Sequence, residues 1–286
     1  MIIAVLSGKG GAGKTFVSVN LASVVGPCRY LDCDVEEPNG ALFLKPVDET
    51  VETVSVMMPV VDPKCCDGCR RCVDFCKFNA LASLKGELRI FPELCHGCDG
   101  CLLVCPNGAL TRGSRPIGSI RRGMAGAVAV DTGVLDVGQV TGVPIVKAMV
   151  SAVSKGDTVI VDCPPGSACV VMESIREADY CVLVAEPTIF GLHNLGMIHQ
   201  LVTAFQKPFG LILNKVYEGD SVVDAYCQQQ RIPLLAKLPY DGDAAETLAL
   251  GELLVQRRPD YRERFEAIHH RILQEVDHAA AGRSER

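Results

Sequence analysis

The segment Gly8-Lys9-Gly10-Gly11-Ala12-Gly13-Lys14-Thr15 stands directly behind the apolar run Ile2–Leu6. A buried strand that empties into a glycine-rich turn closed by Lys-Thr leaves few folds open, because a helix must begin where the turn ends. The glycines let backbone N–H groups face inward around phosphate oxygens, and the helix starting near Lys14 adds its positive N-terminal end. Lys14 is placed to reach the β- and γ-phosphates of a nucleotide, and Thr15 to set its hydroxyl on Mg²⁺. The nucleotide contacts expected here are Gly8, Gly10, Gly11, Ala12, Gly13, Lys14, Thr15 and Phe16. Lys9 is surplus to that task. It lies at the start of the loop, where it does not easily fold back onto phosphates held by its own chain.

Short apolar runs recur along the chain: Ala127–Val130, Thr158–Val161, Cys181–Ala185, Phe209–Leu213 and Leu234–Leu238. Gly, Pro, Asp or Asn bounds each, and amphipathic segments separate most of them. This is the pattern of an α/β fold, a mostly parallel sheet with helices on both faces. Between Pro59 and Arg112 it breaks: aliphatic strands vanish and two similar halves appear, CCDGCRRCVDFCKFNAL and CHGCDGCLLVCPNGAL. The duplication reads as a small domain, residues 59–112, set into a loop of a larger domain made of residues 1–58 and 113–286. Pro59–Asp62 and Arg112–Pro116 are the expected junctions.

Nine of the fifteen cysteines lie between Cys65 and Cys105. No export signal precedes them, so a cytoplasmic location with reduced thiols is expected and disulfides are not. Cys66, Cys69 and Cys72 are spaced C-x2-C-x2-C with Cys76 following; Cys95, Cys98, Cys101 and Cys105 repeat the spacing, with Pro106 next. This is the run of bacterial two-cluster ferredoxins. Three thiolates of one loop grip one cubane, and the fourth, farther along the next helix, swings to the other. Cys66, Cys69, Cys72 and Cys105 are therefore expected to hold one 4Fe-4S cluster, and Cys95, Cys98, Cys101 and Cys76 the other. Paired C-x2-C units also suit tetrahedral zinc, which stays the competing reading. Lys77 replaces the usual proline, and Cys65 is expected as a non-ligand. Cys28, Cys33, Cys163, Cys181 and Cys227 fall in or beside apolar segments and read as small core residues.

With these motifs in place the chain resembles the deviant-loop P-loop ATPases, the group that includes MinD, ParA, the nitrogenase iron protein and the Mrp-type iron–sulfur carriers. In that group K-G-G-x-G-K-[ST] carries an extra lysine that reaches a partner's ATP across a nucleotide-sandwich dimer. The resemblance makes Lys9 that residue, acting like an arginine finger. It implies that Asp34 orients the attacking water, that Asp32 supports the Mg²⁺ shell, and that Asp162 holds Mg²⁺ through water. It further implies that Asn214 pairs with a purine edge and that the Pro239 segment packs over the base. Glu186 and Pro187, in EPTIFGLHNL, also recur in the group but receive no chemical role, and His193 reads as a surface or capping residue. Cys169 falls seven residues after Asp162, the offset of a cluster ligand in the nitrogenase iron protein. No second cysteine accompanies it in residues 127–143, so buried packing is expected instead.

The net charge of −6, the absence of Trp and the brevity of the basic Ile120–Gly123, read as a solvated loop, argue against a nucleic-acid partner. The apolar runs are of strand length, and the mixed charges of the C-terminal segment, helical to about Val276 and then frayed, fit a surface helix better than a membrane anchor. The expected protein is an Mg-ATP-dependent ATPase, homodimeric in its ATP state, that couples nucleotide state to electron transfer with a redox protein through two 4Fe-4S clusters. The alternatives are an Mrp-type iron–sulfur carrier and a MinD/ParA-like positioning ATPase.

Overall fold

The computed structural model describes residues 1–217, 219 and 221–284, with side chains up to residue 277. The chain begins with β1 (Ile2–Leu6), α1 (Lys14–Val25), β2 (Cys28–Asp32), α2 (Gly40–Leu44) and β3 (Val47–Val61). The cysteine-rich stretch follows with α3 (Arg71–Phe75), β4 (Leu81–Leu84), β5 (Glu87–Ile90) and α4 (Gly100–Leu103). Next come β6 (Leu110–Ala125), β7 (Val128–Leu135), α5 (Val143–Ser151), β8 (Val159–Asp162), α6 (Cys169–Ile175), β9 (Tyr180–Ala185) and α7 (Ile189–Ala204). The chain ends with β10 (Phe209–Val216), α8 (Val222–Gln230), β11 (Leu234–Pro239), α9 (Gly242–Ala249), α10 (Leu254–Arg257) and α11 (Pro259–Ser284).

Among the described residues one large sheet runs in the order β11-β10-β9-β1-β8-β2-β7-β6-β3. It is parallel from β11 to β7, while β6 and β3 are antiparallel. Alternation along a strand sends its residues to opposite faces, and β1 shows the consequence. Ala4 and Leu6 join a core under α5–α8 that holds Ile145, Ile175, Ile198 and Val223. Ile3 and Val5 join a second core under α1 and α11 that holds Val17, Phe265, Ile268 and Ile272. Strands buried on both faces are apolar almost throughout, which is why the parallel ones show in the sequence.

The antiparallel part departs from expectation. Pro59–Val61 and Arg112–Pro116, expected as linkers, are paired in a long ribbon of β3 and β6, and Pro59 lies opposite Arg112. Only Gly118–Ala125 of β6 also pairs with β7, so the ribbon beyond Gly118 stands free of the sheet. Most of β3 is exposed, and a strand without a buried face carries little apolar periodicity to read. Pro59 is tolerated because β3 is the outer strand. Arg121 and Arg122 belong to β6 and not to a solvated loop; Arg122 pairs with Glu52 and Asp131 across the sheet.

Because β6 runs against β7, its free start lies at the carboxyl edge of the parallel strands, the edge where β1 delivers the glycine-rich turn. The cysteine stretch caps the ribbon there. The C-terminal helix runs past Val276 to Ser284. Its buried Tyr261, Phe265, Ile268 and Ile272 lie on the second core, a stripe at helical spacing. The last part of the tail expected to fray, residues 285–286, lies outside the described residues. No described helix is long and apolar enough to cross a membrane.

Candidate functional site

The turn between β1 and α1 is held open by its surroundings. Gly13 sits at the helix N-cap with φ 97, and a Cβ there would collide with the Asn214 side-chain amide. A Cβ on Gly8 would meet the Asn194 backbone of α7. From the far side, Asn214 Nδ2 donates to the Ala12 carbonyl at 3.0 Å and Lys215 Nζ to the Gly11 carbonyl at 2.8 Å. Tying carbonyls outward turns the intervening N–H groups toward the cavity, the orientation an anion requires. Lys215 has φ 60, so a residue of strand β10 swings its side chain toward the turn.

The cavity at this edge measures about 480 Å³ and is lined by Gly10, Gly11, Gly13, Lys14, Thr15 and Asp34, closed by Pro164 and Pro165. Beneath it lies a buried polar group built by strand register, since Asp32 of β2 faces Asp162 of β8. Lys14 Nζ is 2.8 Å from Asp162 Oδ1 and 3.5 Å from Asp34 Oδ2. Tyr30 donates its hydroxyl hydrogen to Asp162 Oδ2 at 3.0 Å, and the Gly40 N–H donates to Asp32 Oδ2 at 2.8 Å. Burial, reinforced by the Asp162 charge, pushes the Asp32 carboxyl up to about 8. Burial also raises Asp34, against the opposing pull of Lys14. For Lys14, burial works to lower the ammonium's pKa, but Asp162, Asp34 and Asp32 outweigh it and the net shift is upward.

The other residues singled out in the sequence are placed as follows. Asn214 is buried, and one N–H of its amide is given to the Ala12 carbonyl. Pro239 is exposed at the end of β11. Phe16 packs edge-on against Phe265 of α11, with ring centroids 5.7 Å apart. Asp32 and Asp162 are fully buried behind the cavity wall, engaged by Gly40, Lys14 and Tyr30. Lys9 forms an ion pair of 2.5 Å with Glu186, which also pairs with Lys215 at 2.7 Å. His193 is exposed. Cys169 is exposed at the start of α6 and not packed in the core, since Val171 is the residue of that turn that takes the buried face. Tyr30, Glu186 and Lys215 were missed as site residues. The signal for Tyr30 was its place two residues before Asp32 on one strand, hence on the same face.

At the tip of the ribbon the eight cysteines separate into two groups. Cys66, Cys69, Cys72 and Cys105 line one cavity; Cys76, Cys95, Cys98 and Cys101 line the other. Each cavity therefore takes three cysteines from one half of the duplication and one from the other. Helices α3 and α4 pack closely enough that a Cβ on Gly100 would strike the Phe75 ring. Burial pushes the Cys101 thiol up to about 11, with Cys95 and Cys98 adding to the rise. Cys72 is raised by burial and by Cys105 and Cys66. The Ala109 N–H donates to Cys105 Sγ at 3.3 Å. Cys65 stays outside both groups, exposed, its thiol 3.4 Å from Asp62. Cys28, Cys33, Cys163, Cys181 and Cys227 are buried.

Among the described residues no three or more His, Cys, Asp or Glu converge on a point where one metal ion would sit. A tetrahedral zinc centre needs four ligands at bonding distance from a single ion. A cubane gives each thiolate its own iron, so its ligands surround a larger volume.

A profile of the CobQ/CobB/MinD/ParA nucleotide binding domain matches residues 3–255. Two uncharacterized proteins of Methanocaldococcus jannaschii are similar over nearly their full length. MJ0578 is 26% identical across 95% of this chain and 96% of its own, and MJ0579 is 28% identical across 88% and 90%. Among solved structures, the cell division ATPase MinD of Pyrococcus furiosus superposes with a TM-score of 0.59 at 20% identity, covering 97% of this chain and 98% of its own. MinD of Pyrococcus horikoshii, solved with Mg-ADP, gives 0.59 at 20% identity, covering 93% of each chain. These two structures share the fold. The profile spans the strand, the glycine-rich turn and both buried aspartates, and by it the chain belongs to the CobQ/CobB/MinD/ParA nucleotide-binding domain family.

Proposed function

We propose that the protein is an Mg-ATP-dependent ATPase that pairs with a second copy of itself in the ATP state. On this reading the pairing controls a two-cluster iron–sulfur head working in the cytoplasm with a separate redox protein. The observation that carries the redox part is the sorting of eight cysteines into two four-thiol cavities in crossed sets. Burial and mutual repulsion disfavour four adjacent thiolates unless a cationic group compensates them. The donor chemistry therefore fits 4Fe-4S clusters, held by Cys66, Cys69, Cys72 and Cys105 and by Cys76, Cys95, Cys98 and Cys101. When bound, such clusters supply one-electron transfer.

In the nucleotide site the chain's own groups divide the work. Backbone N–H groups of residues 10–15 would cradle the phosphates, and Lys14 would leave Asp162 and Asp34 for the phosphate oxygens. Thr15 would hold Mg²⁺ by its hydroxyl, with Asp32 and Asp162 acting through water. Asp34 lines the cavity, where it is placed to orient a water on the γ-phosphate and to accept its proton. Lys9 would cross to the second copy and neutralise charge growing at the transferred phosphate.

The test is iron counting on anaerobically purified protein. Cys98→Ser is expected to lose about half the iron, while zinc in place of iron in the unaltered protein would overturn the assignment. Lys9→Ala is expected to abolish ATP-driven pairing and turnover while nucleotide still binds. A second reading, a MinD/ParA-like positioning ATPase, draws on the family profile and on the fold shared with MinD. It leaves the cysteine head without a task, so turnover indifferent to iron would favour it. Delivery of iron to an apo acceptor would favour a carrier of the Mrp type.

A further inference from the structure

The end of β9 places a carboxylate between two lysines. Glu186 Oε2 lies 2.5 Å from Lys9 Nζ, and Oε1 lies 2.7 Å from Lys215 Nζ. Lys215 continues to the Gly11 carbonyl at 2.8 Å, so the same carboxylate is tied into the glycine-rich turn. The Glu186 backbone is itself held tightly: its carbonyl accepts from the Thr188 N–H at 2.8 Å. The first turn of α7 presses so near that a Cβ on Gly191 would collide with that carbonyl. Glu186 is only 13% exposed at its side chain, whereas Lys9 is 37% exposed. The arrangement is a largely buried anion holding a more exposed cation. Burial alone would raise the Glu186 carboxyl, yet Lys215 and Lys9 together leave its pKa lowered.

We propose that Glu186 is a latch that keeps Lys9 on its own protomer until a nucleotide-loaded second copy competes for it. The inference rests on the reading that Lys9 acts across a dimer, and it supplies a chemical role for Glu186. Lys9 cannot serve its own Glu186 and a second copy's phosphates at once, so each engagement costs the other. Ile189 and Phe190, at the start of α7 three and four residues after Glu186, are 74% and 76% exposed. The contact to be broken thus lies beside apolar surface at the edge that carries the nucleotide cavity. In this resting arrangement the carboxylate opposes premature pairing, and triphosphate charge is the stronger competitor. Lys215 retains its contact to Gly11 when Lys9 departs, so the turn keeps its shape.

The test is sedimentation velocity of the full chain, anaerobically prepared, with Mg²⁺ and a non-hydrolysable ATP analogue. Glu186→Gln removes the charge at nearly constant shape and is expected to lower the apparent dimer Kd about tenfold, the scale of one charge-assisted contact. Glu186→Asp, which retracts the carboxylate by one methylene, is expected to give a smaller gain and guards against a folding defect in the first variant. The gain from Glu186→Gln must vanish when Lys9→Ala is added, and Lys215→Ala must not reproduce it. An unchanged Kd, a gain that survives without Lys9, or an equal gain from Lys215→Ala overturns the latch, the last because it would trace the effect to the turn. If Lys9→Ala alone leaves pairing intact, the cross-dimer reading fails and the latch with it; if Lys9→Ala abolishes pairing but Glu186→Gln changes nothing, only the latch fails.

Discussion

The body and the head of this molecule are held together by different physics. The body buries two broad apolar cores, one on each face of the sheet, with residues such as Ile3, Leu31, Ile160 and Phe265 at 0% exposure. The head has a small buried cluster, Cys72, Leu81, Cys101 and Leu110. Two of those four are candidate ligands. A segment of that size does not gather enough apolar area to offset the entropy of ordering its chain, so it depends on bonds of another kind. On the proposed reading the body is expected to fold whatever the metal status, and the head only with the proposed clusters bound.

The sharpest way to break this comparison is to treat the protein with an iron chelator under reducing conditions, which would remove the proposed clusters. Limited proteolysis followed by mass spectrometry should then show cleavage within residues 62–109 while the body stays resistant. Collapse of the whole chain in one step would mean that head and body are a single cooperative unit. The converse experiment is Phe265→Ala. It should cost the body about 3–5 kcal/mol by emptying a fully buried site, read as a lowered denaturant midpoint, with iron content unchanged.

A subtler difference lies in titration. In the metal-free body the Asp32 carboxyl has a pKa of about 8, against 3.8 as its ordinary value. The folded state therefore holds a proton that the unfolded state has lost. Its stabilising contribution is full below about 4, declines as pH rises through the window between the two values, and is gone above about 8. Asp32→Asn should flatten that part of the stability-versus-pH curve of chelated, nucleotide-free protein; an unchanged slope would show that the carboxyl is ionised in the fold. The smallest effect expected is for Cys65→Ser, within about 0.5 kcal/mol of the parent stability and with full iron. Loss of iron in that variant would make Cys65 a ligand and upset the division of the eight others.

The head and the body were also unequally readable beforehand. Cysteine spacing along one chain limits which thiols reach a common centre, and the crossed grouping of Cys105 and Cys76 follows that limit. The parallel strands were evident because burial on both faces makes them apolar throughout. The ribbon of β3 and β6 was not, because most of β3 is exposed and lacks the apolar run of a buried strand. Its sequence, with Asp48, Glu49, Glu52, Thr50 and Thr53, looks like loop. Asn214 was read as a base contact from its type and strand-end position, whereas its amide braces the turn from 202 residues away.

Local geometry was thus legible along the chain: a glycine-rich turn needs its glycines, and thiols that share a cavity need their intervals, whatever surrounds them. Contacts between distant segments were decided only when the sheet assembled. Strand order set Asp32 beside Asp162 and the Tyr30 hydroxyl against Asp162. The antiparallel run of β6 carried the cysteine head to the carboxyl edge, and the end of β9 brought Glu186 against Lys9. Nothing in the linear order encodes such juxtapositions, because they depend on which strands become neighbours and on which way each one points.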